Sequence, residues 1–190
     1  MEHETSMALC SQNEMDHLIA SAKISNYAGL SVVDQLIRSY PADPRLLFFR
    51  GSILASLEQY DEAQVSMRAA LTCAPDYAIA RFQLGFLELT SGQAQAAIAS
   101  WRPLHALSPD NPLRSFATGL EHLIRDEFEA AIEQLEAGIA RNLETPPLNG
   151  DMSLIVEKTR ELLGSKSAGD EPVSAAHLLL RQYAAKPTKH

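Results

Sequence analysis

Small, aromatic and proline residues recur along this chain at intervals of 34 positions, among apolar positions that have helical spacing. They are Gly51, Gly85 and Gly119, then Ala63, Ala97 and Ala131, then Phe48, Phe82 and Phe116, and finally Pro41, Pro75 and Pro109. Such an interval is typical of repeated helical pairs, in which one pair buries its apolar face only by stacking on the next. The pattern therefore predicts an all-α repeat protein.

Capping residues and prolines divide the middle of the chain into three repeats: repeat one (44–77), repeat two (78–111) and repeat three (112–145). Asp43 precedes Pro44 and Asn111 precedes Pro112, so two of these starts combine a capping side chain with a proline in the first turn. Residues 12–43 carry a weaker version of the pattern and predict a degenerate helical pair.

The two ends of the chain do not follow the repeat. Residues 1–11 have no periodicity and are predicted to be disordered. Residues 146–164 are assigned to a capping helix; the stretch TPPLNG, which begins at Thr145, is expected to be a loop, so that the helix itself runs from Asp151 to about Leu163. The remainder is divided into a linker (165–171), an amphipathic helix (172–185) and a tail (186–190).

The three repeats resemble the tetratricopeptide repeat family. Repeat one matches its motif at Gly51, Leu57, Tyr60, Asp61, Glu62, Ala63, Ala70 and Pro75. Repeat two matches at Leu84, Gly85, Gly92, Ala97, Ile98 and Pro109, and repeat three at Gly119, Phe128, Ala131 and Ile132. Leu143 replaces the closing proline of repeat three. The resemblance implies a right-handed superhelical solenoid of antiparallel helix pairs, extended by the degenerate N-terminal pair and by C-terminal capping helices.

In this family the glycine of the first helix and the alanine of the second mark the place where the two helices cross most closely. A larger side chain there would push the helix axes apart. For repeat two, this places Gly85 against Ala97.

The resemblance also implies that the first helices line a concave groove in which ligands bind. The residues carried onto that groove are Arg45, Phe48, Ser52, Ile79, Phe82, Phe86, Leu89, Leu113, Phe116 and Leu120. Most of them are apolar, and an open apolar surface on a soluble protein normally meets a partner. The alternative is that some apolar side chains of these helices, Leu123 and Ile124 above all, only pack between helices.

The groove composition selects among ligand classes. A carboxylate-rich peptide tail would find no cationic partner at Phe82, Phe86 or Leu120, and burying an unpaired charge is costly. We therefore expect an apolar or amphipathic peptide, with Arg45 orienting its polar end.

Composition narrows the function classes further. The formal net charge is −8 and no basic stripe is present, so nucleic acid is a poor partner. The sequence shows neither a secretory signal nor a membrane-spanning apolar run, which predicts a cytoplasmic protein with no membrane partner. The two cysteines, Cys10 and Cys73, are not expected to form a disulfide.

Three functional hypotheses follow. No catalytic motif or trusted metal-ligand spacing is found, so the first is a non-enzymatic protein-interaction module without cofactor or metal, whose partner is another protein. The second is a bacterial secretion chaperone similar to the class that holds type III translocator subunits. The third is a scaffold that oligomerises, possible as a homodimer, through exchange of the helix at 172–185, which could equally occupy its own groove.

Overall fold

The computed structural model describes residues 8–166, and the regular structure of these residues is entirely helical. The helices are α1 (Gln12–Ile24), α2 (Asn26–Ser39), α3 (Pro44–Ser56), α4 (Tyr60–Cys73), α5 (Ala78–Thr90), α6 (Ala94–Trp101), α7 (Pro112–Ile124), α8 (Phe128–Arg141) and α9 (Pro146–Lys166). A 3₁₀ segment, Arg102–Ala106, follows α6. The predicted all-α class and the sequential antiparallel pairing of helices are confirmed. Residues 8–166 form two compact units, an N-terminal unit that ends at Leu87 and a C-terminal unit that begins at Glu88.

The predicted helix starts are present. The Asp43 carboxylate accepts a hydrogen bond from the Arg45 N–H at 3.0 Å, and the Asn111 side chain accepts one from the Leu113 N–H at 2.9 Å. In each case the intervening proline occupies the first turn, where its missing N–H leaves no donor unpaired. The caps fix where α3 and α7 begin.

The same turn closes the first helix of all three repeats. Glu58, Gly92 and Asp126, which are 34 positions apart, have φ angles of 62°, 81° and 57°. The N–H of the following residue then donates to the carbonyl five positions earlier, as from Gln59 to Leu54 at 2.9 Å. This is the Schellman arrangement, in which a left-handed residue ends a helix. Only repeat two places glycine there.

Close approach between paired helices explains the recurring glycines. A Cβ placed on Gly51 would lie 2.8 Å from Met67 Cγ and 3.1 Å from the Ala63 carbonyl oxygen. A Cβ on Gly119 would lie 2.7 Å from Leu135 Cγ and 3.1 Å from the Ala131 carbonyl oxygen. The predicted glycine–alanine crossing is therefore found in repeats one and three, while that of Gly85 and Ala97 stays a prediction.

The core of the N-terminal unit joins three successive helices. Leu54 of α3, Ala63 and Met67 of α4, and Leu84 and Leu87 of α5 form one buried cluster. A second buried cluster connects α1, α2 and α3 through Leu18, Val33, Leu46 and Ile53. The degenerate pair at the N-terminus is thus packed as a full helical layer.

In the C-terminal unit, α6 is shorter than the other second helices. It ends at Trp101, which is fully buried, and the chain continues as a 3₁₀ segment that contains Pro103. Proline has no N–H and clashes with the preceding turn, so it stops the α-helical hydrogen-bonding pattern here. Leu104 of the 3₁₀ segment is also buried.

The predicted loop before the last helix is wrong, because α9 begins at Pro146 rather than near Asp151. The Asn142 side chain organises the preceding turn: its amide group donates to the Thr145 carbonyl at 2.7 Å and to Asn149 Oδ1 at 2.8 Å. The helix packs on α8, and its buried residues include Leu148, Met152, Ile155 and Val156. It also extends to Lys166, past the start predicted for the linker.

At the N-terminus, the predicted disorder does not hold for residues 8–11. Cys10 is buried, and Ser11 forms a capping box with Glu14 at the start of α1. Residues 1–7, most of the predicted linker, the helix predicted at 172–185 and the tail lie outside the described residues.

Candidate functional site

Arg45, predicted to orient a ligand, is held by its own helix cap. Its guanidinium contacts both oxygens of Asp43, with Nη2 2.6 Å from Oδ2 and Nε 3.0 Å from Oδ1. Nη2 also donates to the Cys10 carbonyl at 2.7 Å. The guanidinium therefore anchors residue 10 to the start of α3, and its role in binding stays a prediction.

Asp43 is the centre of this anchor and has no exposed surface. Burial alone would raise the pKa of its carboxyl group. Hydrogen bonds from the Arg45 side chain and from the N–H groups of Cys10 and Arg45 outweigh burial and lower the pKa to about 2. Burial, and then the hydrogen bond and charge of Asp43, raise the pKa of the Cys10 thiol to about 11. The thiol therefore stays protonated and is a poor nucleophile.

Phe48 is the phenylalanine of the 34-residue column that remains partly exposed. Its ring meets Tyr77 edge-to-face, with centroids 5.4 Å apart and planes at 63°. One turn later on α3, the Ser52 hydroxyl donates to the Phe48 carbonyl at 3.1 Å and is also partly exposed. This side of α3 combines an accessible aromatic pair with a hydroxyl group. Tyr77 was not among the predicted groove residues.

On α5, the predicted groove residues are mostly part of the core. Phe82 and Phe86 stack with centroids 6.2 Å apart and planes at 7°, and their exposed fractions are 0% and 8%. Ile79 keeps part of its surface exposed. The expectation that both rings form an open surface is therefore wrong, because they are buried in the structure.

The predicted groove residues of the C-terminal unit are also mostly buried. Leu89, Phe116 and Leu120 have exposed fractions of 2% or less, whereas Leu113 is partly exposed. Phe116 packs between paired helices, because a Cβ on Gly138 of α8 would lie 2.5 Å from its ring atoms Cδ1 and Cε1. The Phe116 ring therefore occupies space that any side chain at position 138 would fill.

A cleft of about 660 Å³ lies between α8 and α9, at residues that sequence reasoning did not propose as a site. Its floor includes Ile139 and Val156, and charged side chains of both helices form its rim. The volume is in the range of sites that bind ligands. Sequence reasoning assigned α9 only a capping role and did not consider the surface that α9 forms with α8.

The comparisons with known proteins concern the fold. No protein-family model and no curated protein sequence matches the chain. A solved structure titled MamA 41-end from Desulfovibrio magneticus RS-1 superposes with a TM-score of 0.58 at 17% identity, covering 87% of this chain and 100% of that chain. A second, titled MamA RS-1 ArsTM double mutant, has the same TM-score and identity and covers 95% of this chain and 100% of that chain.

MamA contains tetratricopeptide repeats. This chain has the tetratricopeptide-repeat fold. At 17% identity the similarity extends to the fold and not to partners. The tetratricopeptide-repeat fold thus accounts for the recurring glycines and alanines, while the residues that bind a ligand stay a prediction.

Two histidines of the C-terminal unit each contact a glutamate, and Arg125 joins the second of these contacts. His105 Nε2 lies 2.9 Å from Glu121 Oε1, and His122 Nδ1 lies 2.5 Å from Glu127 Oε2. The hydrogen bond with His122, and then that with Arg125, lower the pKa of Glu127. Within residues 8–166, no group of three or more His, Cys, Asp or Glu side chains could hold a metal ion. No helix in this range is long and apolar enough to cross a membrane.

Proposed function

We propose that the chain is a non-enzymatic protein-interaction module that binds an apolar or amphipathic segment of another protein along the accessible side of α3. The Phe48–Tyr77 ring pair carries this proposal. Both rings keep part of their surface exposed, whereas Phe82 and Phe86 are buried. Aromatic side chains supply much contact area and are enriched at protein interfaces.

The burial pattern narrows the predicted groove to a smaller set of residues. Phe48, Ser52 and Ile79 retain accessible surface in the N-terminal unit, and Leu113 does so in the C-terminal unit. In the N-terminal unit, a partner segment would place apolar side chains against Phe48 and a polar group near the Ser52 hydroxyl.

The first step of the test is to identify a binding protein from the native host by affinity purification and to purify its interacting segment. The affinity of that segment is then measured by calorimetry for the wild type and for Phe48→Ser. We expect at least tenfold weaker binding for the variant, because a central aromatic contact is commonly worth about 1–2 kcal/mol or more.

Val65→Ser is the matched control, since Val65 is an apolar residue of α4 with 65% of its surface exposed. Its affinity should equal that of the wild type, and both variants should keep the wild-type helical signal. Equal affinities for wild type and Phe48→Ser would place binding elsewhere and overturn the proposed surface.

The similarity to secretion chaperones and the cytoplasmic location stay predictions. Exchange of a helix at 172–185 between copies also stays a prediction, because those residues lie outside the described part of the chain.

A further inference from the structure

The cleft between α8 and α9 has an apolar floor and a mostly acidic rim. Val156 is buried at the floor, and Ile139 beside it is partly exposed. Four charged side chains line the cleft, namely Glu136, Glu157, Arg160 and Glu161, which gives a local net charge of −2. An occupant therefore needs apolar side chains on one face and positive charge beside them.

Two of the rim carboxylates are already paired. Arg160 Nη2 donates to Glu136 Oε1 at 2.7 Å, and Lys158 Nζ donates to Glu161 at 2.7 Å. Among residues 8–166, Glu157 has no hydrogen-bond or ion-pair partner. A cation brought into the cleft could bind Glu157 without breaking an existing pair.

The last part of the same chain has the required composition. Residues 172–190 contain Arg181, Lys186 and Lys189 and no aspartate or glutamate. In a helix over 172–185, Ala176, Leu179, Leu180 and Tyr183 would form one apolar face. Both the sign of the charge and the apolar face match the cleft.

The connection is also long enough. From Glu157, near the middle of the cleft, to Lys166, the end of α9, the distance is about 14 Å at helical rise. The five residues 167–171 can span up to about 17 Å when extended. A helix over 172–185 would be about 21 Å long, so it could return antiparallel to α9 along the whole cleft.

We propose that residues 172–185 bind as an amphipathic helix in the cleft between α8 and α9 of their own chain, with Arg181 or Lys186 near Glu157. The apolar face covers Ile139 and Val156, and the segment completes the stack at its C-terminal end. Stacked repeats need such a terminal element to cover their last apolar surface. This inference goes beyond the proposed function, because it requires no second protein.

Amide hydrogen exchange of the full-length chain tests the assignment. We compare the wild type with Glu157→Lys, which turns attraction to the cations of 172–190 into repulsion. Exchange within 172–185 should be about tenfold faster in the variant. Glu133→Lys is the control, because Glu133 is an exposed carboxylate of α8 outside the cleft. It should exchange like the wild type.

A variant with reversed charges on both sides and a dilution series complete the test. Combining Glu157→Lys with Arg181→Glu and Lys186→Glu should restore protection, since the two sides are again opposite in charge. Protection that persists on hundredfold dilution supports binding within one chain. Equal exchange in wild type and Glu157→Lys would overturn the proposal, as would protection lost on dilution, which would assign the segment to a second copy. None of these samples contains a partner, so failure leaves the Phe48 test unaffected.

Discussion

Phe116 and Gly138 are in direct contact across α7 and α8, and a Cβ at position 138 would lie 2.5 Å from the Phe116 ring. The position equivalent to Gly138 in repeat one, 68 residues earlier, is Ala70. Phe48, at the position equivalent to Phe116, instead meets Tyr77 and stays partly exposed. The recurring phenylalanines thus have two environments, and only that of Phe48 leaves the ring accessible to a partner.

A substitution at Gly138 tests whether the packing of Phe116 depends on glycine at that position. We expect Gly138→Ala to destabilise the protein by about 1–3 kcal/mol, because the new methyl group overpacks against the Phe116 ring. Urea unfolding followed by circular dichroism measures the change. Gly150→Ala is the matched control, since a Cβ there meets nothing within 4 Å and alanine favours the helix. If the two variants were equally stable, the assigned packing of Phe116 against Gly138 would be wrong.

For the turn residues with positive φ, we predict changes of opposite sign in the free energy of unfolding. Glu58 has a φ of 62° and an exposed side chain, so Glu58→Gly should raise the free energy of unfolding by about 0.5–1 kcal/mol. Gly92→Ala should lower it by a similar amount, because it imposes the same strain on the turn of repeat two. Thermal melting of both variants checks the signs. A destabilised Glu58→Gly chain would contradict the assigned turn geometry.

Asp43 should contribute strongly to stability through its cap and its ion pair. We expect Asp43→Ala to cost about 2–4 kcal/mol, because it leaves the Cys10 N–H and the Arg45 guanidinium without their acceptor. Asp43→Asn should cost less, since asparagine can still cap α3. Urea unfolding near neutral pH measures both changes, and equal stability of all three proteins would refute this anchor.

The pH dependence of the same residue has a defined sign. The pKa of Asp43 is lowered from an ordinary value of 3.8 to about 2 in the folded protein. The folded state therefore binds fewer protons, and the stabilisation is fully present above about pH 4 and lost as the pH falls toward 2. The stability difference between wild type and Asp43→Asn should shrink over that window. A difference that stays constant from pH 5 to pH 2 would show that the carboxylate is not specifically stabilised.

Serine or alanine substitutions of the α5 phenylalanines would test stability rather than binding. Phe82 is fully buried and stacks on Phe86, so Phe82→Ala should destabilise the chain by about 3–5 kcal/mol. Loss of binding in such a variant would then reflect unfolding. Phe48→Ala should cost clearly less, and a thermal melt of each variant compares them. The reverse order of melting temperatures would contradict the assignment of core and surface.

The helix pairs could be predicted from the sequence because their determinants are local and repeated. Asp43 before Pro44, and the 34-residue spacing of glycine and alanine, fix helix starts and crossings through short-range sterics. The start of α9 could not be predicted in this way, because consecutive prolines are compatible with both a loop and a first helical turn. The Asn142 side chain, which contacts residues up to seven positions later, decides between them.

The accessible rings could not be predicted from the repeat alone. Whether a phenylalanine of the first helix is buried depends on the residue that faces it from a neighbouring helix, such as Gly138 for Phe116. The cleft between α8 and α9 likewise depends on how the last helix of repeat three meets the capping helix. Periodicity within one helix contains neither kind of information.

The most direct test of the proposed function is the affinity of one purified partner segment for wild type, Phe48→Ser and Phe48→Leu, each shown to be folded. The proposal predicts a loss of at least tenfold for serine and a smaller loss for leucine, because leucine keeps most of the apolar contact area. Identical affinities for the three proteins would contradict a binding surface centred on Phe48.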